Sequence, residues 1–185
     1  MGIPPLLIVL TGKTAAGKDA VMSKLLEKMP NLKRVVSTTS RAIRTDETNG
    51  VDYNFISKED FRRKIENKEF IEYVEYGGNL YGTEKSQIKK GQDLIWRIDP
   101  SRAGKVKQLI TGFKILVIYL TVRDCVILKR LQDRNLNKQE IEKRMQDDKK
   151  FWQEYKDNYD YVVENIPGKL DEAVDKITNL IKMST

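Results

Sequence analysis

Gly12-Lys13-Thr14-Ala15-Ala16-Gly17-Lys18-Asp19 sets two glycines around four residues and follows the second with a lysine. Glycine-rich backbone of this kind can turn successive N–H groups towards one point, which makes a concavity for anions. The apolar run Leu6–Leu10 precedes the loop and a helix-like stretch from Asp19 to Lys28 follows it. A strand, a glycine loop and a helix N-terminus form the context in which this spacing binds phosphate. Lys18 would then reach the outer phosphates as a point charge. Asp19 stands where such loops usually carry a hydroxyl for Mg²⁺, and a carboxylate can hold that ion directly or through water.

A second set of spaced residues lies downstream. It reads Thr39-Ser40-Arg41-x-x-Arg44-x-x-Glu47-x-x-Gly50-x-x-Tyr53-x-Phe55, then Glu69-Phe70-Ile71-Glu72-Tyr73, then Gly78-Asn79-Leu80-Tyr81-Gly82-Thr83. Two arginines three apart, Arg41 and Arg44, are suited to gripping one phosphate. The tyrosines and Glu72 have a plainer reading as cross-strand pairs on a half-buried sheet.

In these motifs the chain resembles the guanylate kinase family, from the strand before the loop to the last helix. The resemblance implies an ATP-dependent nucleoside monophosphate kinase that uses Mg²⁺, with GMP or dGMP as acceptor. It implies that Gly12 to Asp19 hold ATP and that Arg41, Arg44, Tyr53 and Tyr81 hold the acceptor phosphate. Glu72, Thr83 and Ser37 would read guanine, whose ring N–H and amine both donate to a carboxylate, and Asp99 would hold metal or substrate beside Asp19. Arg134 and Arg144 match the pair that closes over the transferring group, so Lys18, Arg44, Arg134 and Arg144 form the expected catalytic set. Glu164 and Asn165 fall where the family holds the ATP base. Arg130 is assigned to the surface. An open-to-closed transition is expected of such an architecture.

Three departures from the family pattern stand out. Asp19 replaces the hydroxyl. Arg97-Ile98-Asp99 stands where Asp-x-Asp is usual, which puts Arg97 on the face of Asp99, to pair with it or with a phosphate. The lid is slightly short. The Gly-Lys-Asp ending and Ser101-Arg102-Ala103 resemble ribose bisphosphokinase, which leaves a sugar-phosphate kinase as one alternative. A non-catalytic binding module is the other. Glu72, Thr83 and the arginine signature favour the guanine reading, because base-reading groups decide the substrate.

The elements that must position these groups follow from the apolar pattern. Continuous runs at Leu6–Leu10, Lys33–Val36, Leu94–Ile98, Ile115–Leu120 and Tyr161–Val163 suit a parallel sheet covered on both faces. Helices are expected at Lys18–Lys28, Lys58–Glu66, Ser101–Leu109, Asp124–Arg134, Lys138–Lys156 and Asp171–Met183, with capping signals at Ser57/Asp60 and Asn137/Glu140. The alternation predicts an α/β fold: a three-layer P-loop core with a parallel sheet (1–37, 84–129, 157–185), a small β-rich monophosphate-binding lobe (38–83) and a helical lid (130–156).

The bulk numbers agree. The chain has 185 residues, 39% hydrophobic and 33% charged, a globular balance with a net charge of +7. Lysines 143, 149, 150 and 156 read as a solvated helix face, and no nucleic-acid-binding signature accompanies the charge. There is no histidine, which excludes an imidazole base; phosphoryl transfer needs none. The single cysteine, Cys125, is expected to be buried and cannot form an intrachain disulfide. The Met1-Gly2-Ile3-Pro4-Pro5 start lacks a basic segment, and Leu6 stands where a myristoylation motif wants Ser or Thr, so a cytoplasmic protein without a membrane partner is expected. The oligomeric state is left open between monomer and dimer.

Overall fold

The computed structural model describes residues 4–45, 47–76 and 78–184, so the Met1-Gly2-Ile3 start lies outside it. The chain divides into two compact units, Met1–Lys33 with Gln92–Thr185, and Arg34–Gly91.

The first unit is built on β1 (Leu6–Gly12), β7 (Leu94–Arg97), β8 (Lys114–Thr121) and β9 (Tyr161–Glu164). The sheet order is β2-β7-β1-β8-β9, with β2 at Lys33–Val35, and the β1–β7, β1–β8 and β8–β9 pairings are parallel. All seven residues of β1 are buried, as a central strand covered on both faces requires. Ile8, Leu10, Ile118 and Leu120 pack in one core with α1 (Lys18–Lys28) and α7 (Leu170–Ser184). Tyr119 alternates to the other face and meets Trp152 and Tyr159, with ring centroids at 5.0 and 4.8 Å.

The expected helix at Ser101–Leu109 is two short ones, α3 (Pro100–Ala103) and α4 (Val106–Leu109). Gly104 causes the break. Asn158 donates its side-chain amide to the Gly104 carbonyl at 2.7 Å, and a Cβ at Gly104 would come within 2.3 Å of the Tyr155 ring. Downstream lie α5 (Asp124–Asp133) and α6 (Lys138–Tyr155). The Asn137/Glu140 capping box that starts α6 is fully formed. Lysines 143, 149, 150 and 156 are exposed, as their spacing suggested. Cys125 corrects an expectation: it is exposed, because it sits in the first turn of α5 on the side away from Ile127 and Leu131, which are buried.

The second unit contains β3 (Thr38–Thr39), β4 (Asn54–Phe55), α2 (Lys58–Glu66), β5 (Phe70–Tyr76) and β6 (Asn79–Glu84), in a sheet ordered β4-β3-β6-β5. Its own small core is Phe61, Phe70 and Leu80, with the two phenyl rings stacked at 4.3 Å. Ser57 caps α2 by accepting the Asp60 N–H. Among the described residues no helix is long and apolar enough to cross a membrane.

Gly12 fixes where β1 delivers the chain. Its φ is +137°, and a Cβ there would lie 2.0 Å from the Leu120 carbonyl oxygen. That neighbour is backbone of the adjoining strand and cannot swing aside. Gly12→Ala is expected to destabilise the protein by more than about 3 kcal/mol, read as a lower urea midpoint.

Candidate active site

The loop between β1 and α1 is held by its carbonyls. Lys18 Nζ donates to the carbonyls of Gly12 (3.0 Å) and Lys13 (2.8 Å). Arg130 donates to that of Ala15 at 2.7 Å, and the Asn165 side-chain amide to that of Ala16 at 2.9 Å. Of the loop's own N–H groups, that of Lys13 pairs with the Leu120 carbonyl at 3.0 Å and that of Ala16 with the Lys13 carbonyl at 3.2 Å. Gly17 (φ +88°) and Ala15 (φ +53°) take the left-handed conformation that closes the turn, and a Cβ on Gly17 would strike the Asn165 amide at 2.5 Å. Among the described residues no side chain caps the start of α1, whose positive end therefore faces the loop.

One residue differs from its expected place, and a second has a contact that its spacing did not suggest. Arg130, assigned to the surface, is half-buried and bonded to the loop across 115 residues of sequence. Asn165, expected at the ATP base, has its side-chain amide bonded to the Ala16 carbonyl and is 5% exposed, so it braces the loop.

Charge in this unit is arranged around Lys18. Burial pulls its ammonium down to about 8; Arg97 adds to the drop, while Asp148, Asp19 and Asp99 oppose it. Arg97 Nη1 lies 2.8 and 3.0 Å from the two Asp19 oxygens, a partner its spacing did not suggest. Asp99 caps α3, accepting from the Ser101 and Arg102 N–H groups, the Ser101 hydroxyl and Arg102 Nε. Burial alone would raise its carboxyl, but the Arg102 charge and these bonds hold it below the usual range. Asp99 is thus committed to its helix. Asp19, largely exposed, keeps an open side for a cation. Among the described residues no group of three or more acidic or cysteine side chains could hold a metal alone. A single carboxylate suits Mg²⁺ brought in on a nucleotide's phosphates.

The spacing did not single out Asp148. Both of its oxygens accept the Thr14 N–H, at 2.9 and 3.1 Å. A signal was there to read: Ile141, Met145, Asp148, Trp152 and Tyr155 follow helical period, and Asp148 is an acid inside that inward stripe. Of the lid pair, Arg134 is exposed at the end of α5 and Arg144 is half-buried in α6.

The second unit brings its predicted residues into two groups. In the first, Arg41 makes a two-pronged pair with Glu47 (2.7 and 2.9 Å), and the Arg44 N–H donates to the same carboxylate at 2.9 Å. The Arg41 bond holds Glu47 below the usual carboxylate range. The Arg41 guanidinium lies 5.7 and 5.5 Å from the ring centres of Tyr53 and Phe55, and Tyr53 meets Tyr81 edge-on at 6.1 Å. Glu47 thus aims the arginine that the motif supplies, while the Arg44 side chain is exposed. In the second group, Glu72 stands opposite Thr83 in the β5–β6 register, and the Thr83 hydroxyl is 3.0 Å from that of Ser37. One carboxylate and two hydroxyls side by side can accept from and donate to a heterocycle edge.

Known proteins resemble this chain over nearly its whole length. The guanylate kinase family model matches residues 5–184. A guanylate kinase of Fusobacterium nucleatum is 34% identical over 181 residues, covering 95% of each chain. Guanylate kinase 2, chloroplastic/mitochondrial, of Oryza sativa is 32% identical over 186 residues; the match spans 96% of this chain and 64% of that longer protein. The crystal structure of guanylate kinase from Anaplasma phagocytophilum superposes with a TM-score of 0.73 at 25% identity, over 99% of this chain and 87% of that one. Matched by the family model over nearly its whole length, and with a relative 34% identical over 95% of each chain, this chain belongs to the guanylate kinase family.

Proposed function

We propose that this chain transfers the γ-phosphoryl group of ATP to GMP or dGMP, giving ADP and GDP or dGDP. The observation that carries the choice of acceptor is the grouping of Glu72, Thr83 and Ser37. Guanine presents a ring N–H and an amine to that carboxylate; adenine presents a ring acceptor, which the carboxylate repels. A bidentate contact of this kind is worth about 1–3 kcal/mol of discrimination.

The loop N–H groups and Lys18 bind the donor phosphates. Arg41, aimed by Glu47, takes the acceptor phosphate with Arg44, Tyr53 and Tyr81. Arg134 and Arg144 supply charge to the equatorial oxygens as the phosphoryl group moves. The acceptor phosphate attacks as an anion, so no general base is needed, in keeping with a chain that has no histidine. Mg²⁺, carried on ATP and held by Asp19, would neutralise phosphate charge. A cytoplasmic site of action belongs to this proposal; the rice relative is by its name a protein of chloroplast or mitochondrion.

Steady-state ADP formation from ATP and Mg²⁺, with GMP, dGMP, AMP and ribose 1,5-bisphosphate offered in parallel, tests the reading. Turnover with guanine nucleotides alone supports it. Turnover with the sugar phosphate alone assigns the chain to the other chemistry, and none at all points to a binding module.

Two substitutions sharpen this. Glu72→Gln is expected to raise the GMP KM about tenfold or more while the ATP KM stays put; equal changes in both would remove Glu72 from the base-reading role. Lys18 titrates at about 8 in the folded chain against an ordinary 10.5, so burying its charge costs stability below pH 8, and the cost fades between those values. Lys18→Met is expected to melt higher than the parent at pH 7, the gain shrinking as pH rises above about 8 and largely gone by 10.5, with turnover down about 10²–10³-fold. Thermal scans across pH and initial rates measure the two sides.

A further inference from the structure

Asp148 is a buried carboxylate, 9% exposed, held on the first free N–H of a loop that binds anions. A carboxylate and a phosphate edge offer an N–H the same geometry: two oxygens, a shared negative charge and acceptors only. Asp148 also borders a cavity of about 380 Å³ lined by Lys13, Tyr119, Asp124, Trp152 and Met145. The Tyr119 hydroxyl is buried there and has no hydrogen-bond partner among the described residues. An unpaired buried hydroxyl is costly, and a carboxyl group arriving beside it would satisfy it.

We propose that Asp148 is a positioning residue of the donor site: its carboxylate stands in for a phosphate oxygen on the Thr14 N–H and must swing into the Tyr119-lined cavity before the donor seats fully. This rests on the loop's being the ATP site. Asp148 therefore sets donor affinity without touching the acceptor. Nearly every group around it belongs to one of the two positions. Lys13 and Lys18 face it from the loop and the start of α1 and favour its charge there. Tyr119 of β8 and Asp124 of α5 line the cavity side, and Asp147 and Lys149 flank it on α6. Burial outweighs the Thr14 bond and the lysines and lifts its carboxyl to about 6. Protonation weakens its hold on the loop N–H, so its competition with the donor is full above that value and fades as pH falls through it.

The test is steady-state kinetics of the full chain and its Asp148→Asn and Asp148→Ala variants at pH 8 and pH 5, with calorimetric titration of ATP–Mg²⁺ into each. At pH 8 both variants are expected to show an ATP KM and Kd about tenfold lower than the parent, with the GMP KM unchanged. At pH 5 the parent and Asp148→Asn should converge; using the ratio of the two cancels the titration of ATP itself. Tyr119→Phe, which deprives the displaced carboxyl of its partner, should raise the ATP KM. Unchanged ATP affinity in both Asp148 variants overturns the proposal. So does weaker affinity in both, which would make Asp148 a strut that holds the loop open. If no variant and no parent phosphorylates GMP, the kinase reading fails, and the calorimetric comparison alone decides on Asp148.

Discussion

A loop that binds phosphate must keep several backbone N–H groups turned the same way without letting them find partners of their own. The backbone resists this, because buried amides pair wherever they can. Here side chains hold four of the loop's carbonyls, those of Gly12, Lys13, Ala15 and Ala16. Lys18, Arg130 and Asn165 take the loop carbonyls, arriving from α1, α5 and the end of β9. The parallel sheet serves this purpose: it brings the carboxyl ends of β1, β8 and β9 side by side, so groups far apart in sequence meet on one eight-residue turn.

Much of this architecture was readable because it rests on local patterns. The wholly apolar β1 announces a central parallel strand, and the capping residues Ser57 and Asn137 begin their helices as their side chains require. The loop glycines, the Arg41–Phe55 signature and Glu72 were readable as types at fixed spacing. The contacts missed were those made between groups far apart in the sequence. Arg130 looks like any helix-surface arginine until the fold sets it against Ala15. Asn165 bonds a carbonyl 149 residues away. Glu47 was visible as a signature position, yet its work of aiming Arg41 is a matter of side-chain geometry. Gly104 broke an apparently continuous helix because Tyr155 and Asn158, from another part of the chain, took its space and its carbonyl.

Two of the three departures from the family pattern, Asp19 and Arg97, make sense as one. An aspartate after the loop lysine would add negative charge beside incoming phosphates. An arginine in place of the usual acid at the end of β7 meets that charge directly, at 2.8 Å. Each residue alone would disturb the site; together they leave the local charge balanced. Asp99 is in turn kept by Arg102, so both acids that family spacing assigns to metal carry a cation neighbour. A divalent ion at such a site would depend more on a nucleotide it accompanied than on a cage of protein ligands.

Cys125 was expected inside and lies outside. It follows Asp124, whose carboxylate holds Lys13 of the loop at 2.7 Å. With no other thiol in the chain, a maleimide dye would attach at one known point, beside the ion pair that joins Asp124 of α5 to Lys13 of the loop. The native sequence thus carries its own handle for watching that loop by fluorescence in real time, without engineering a single residue.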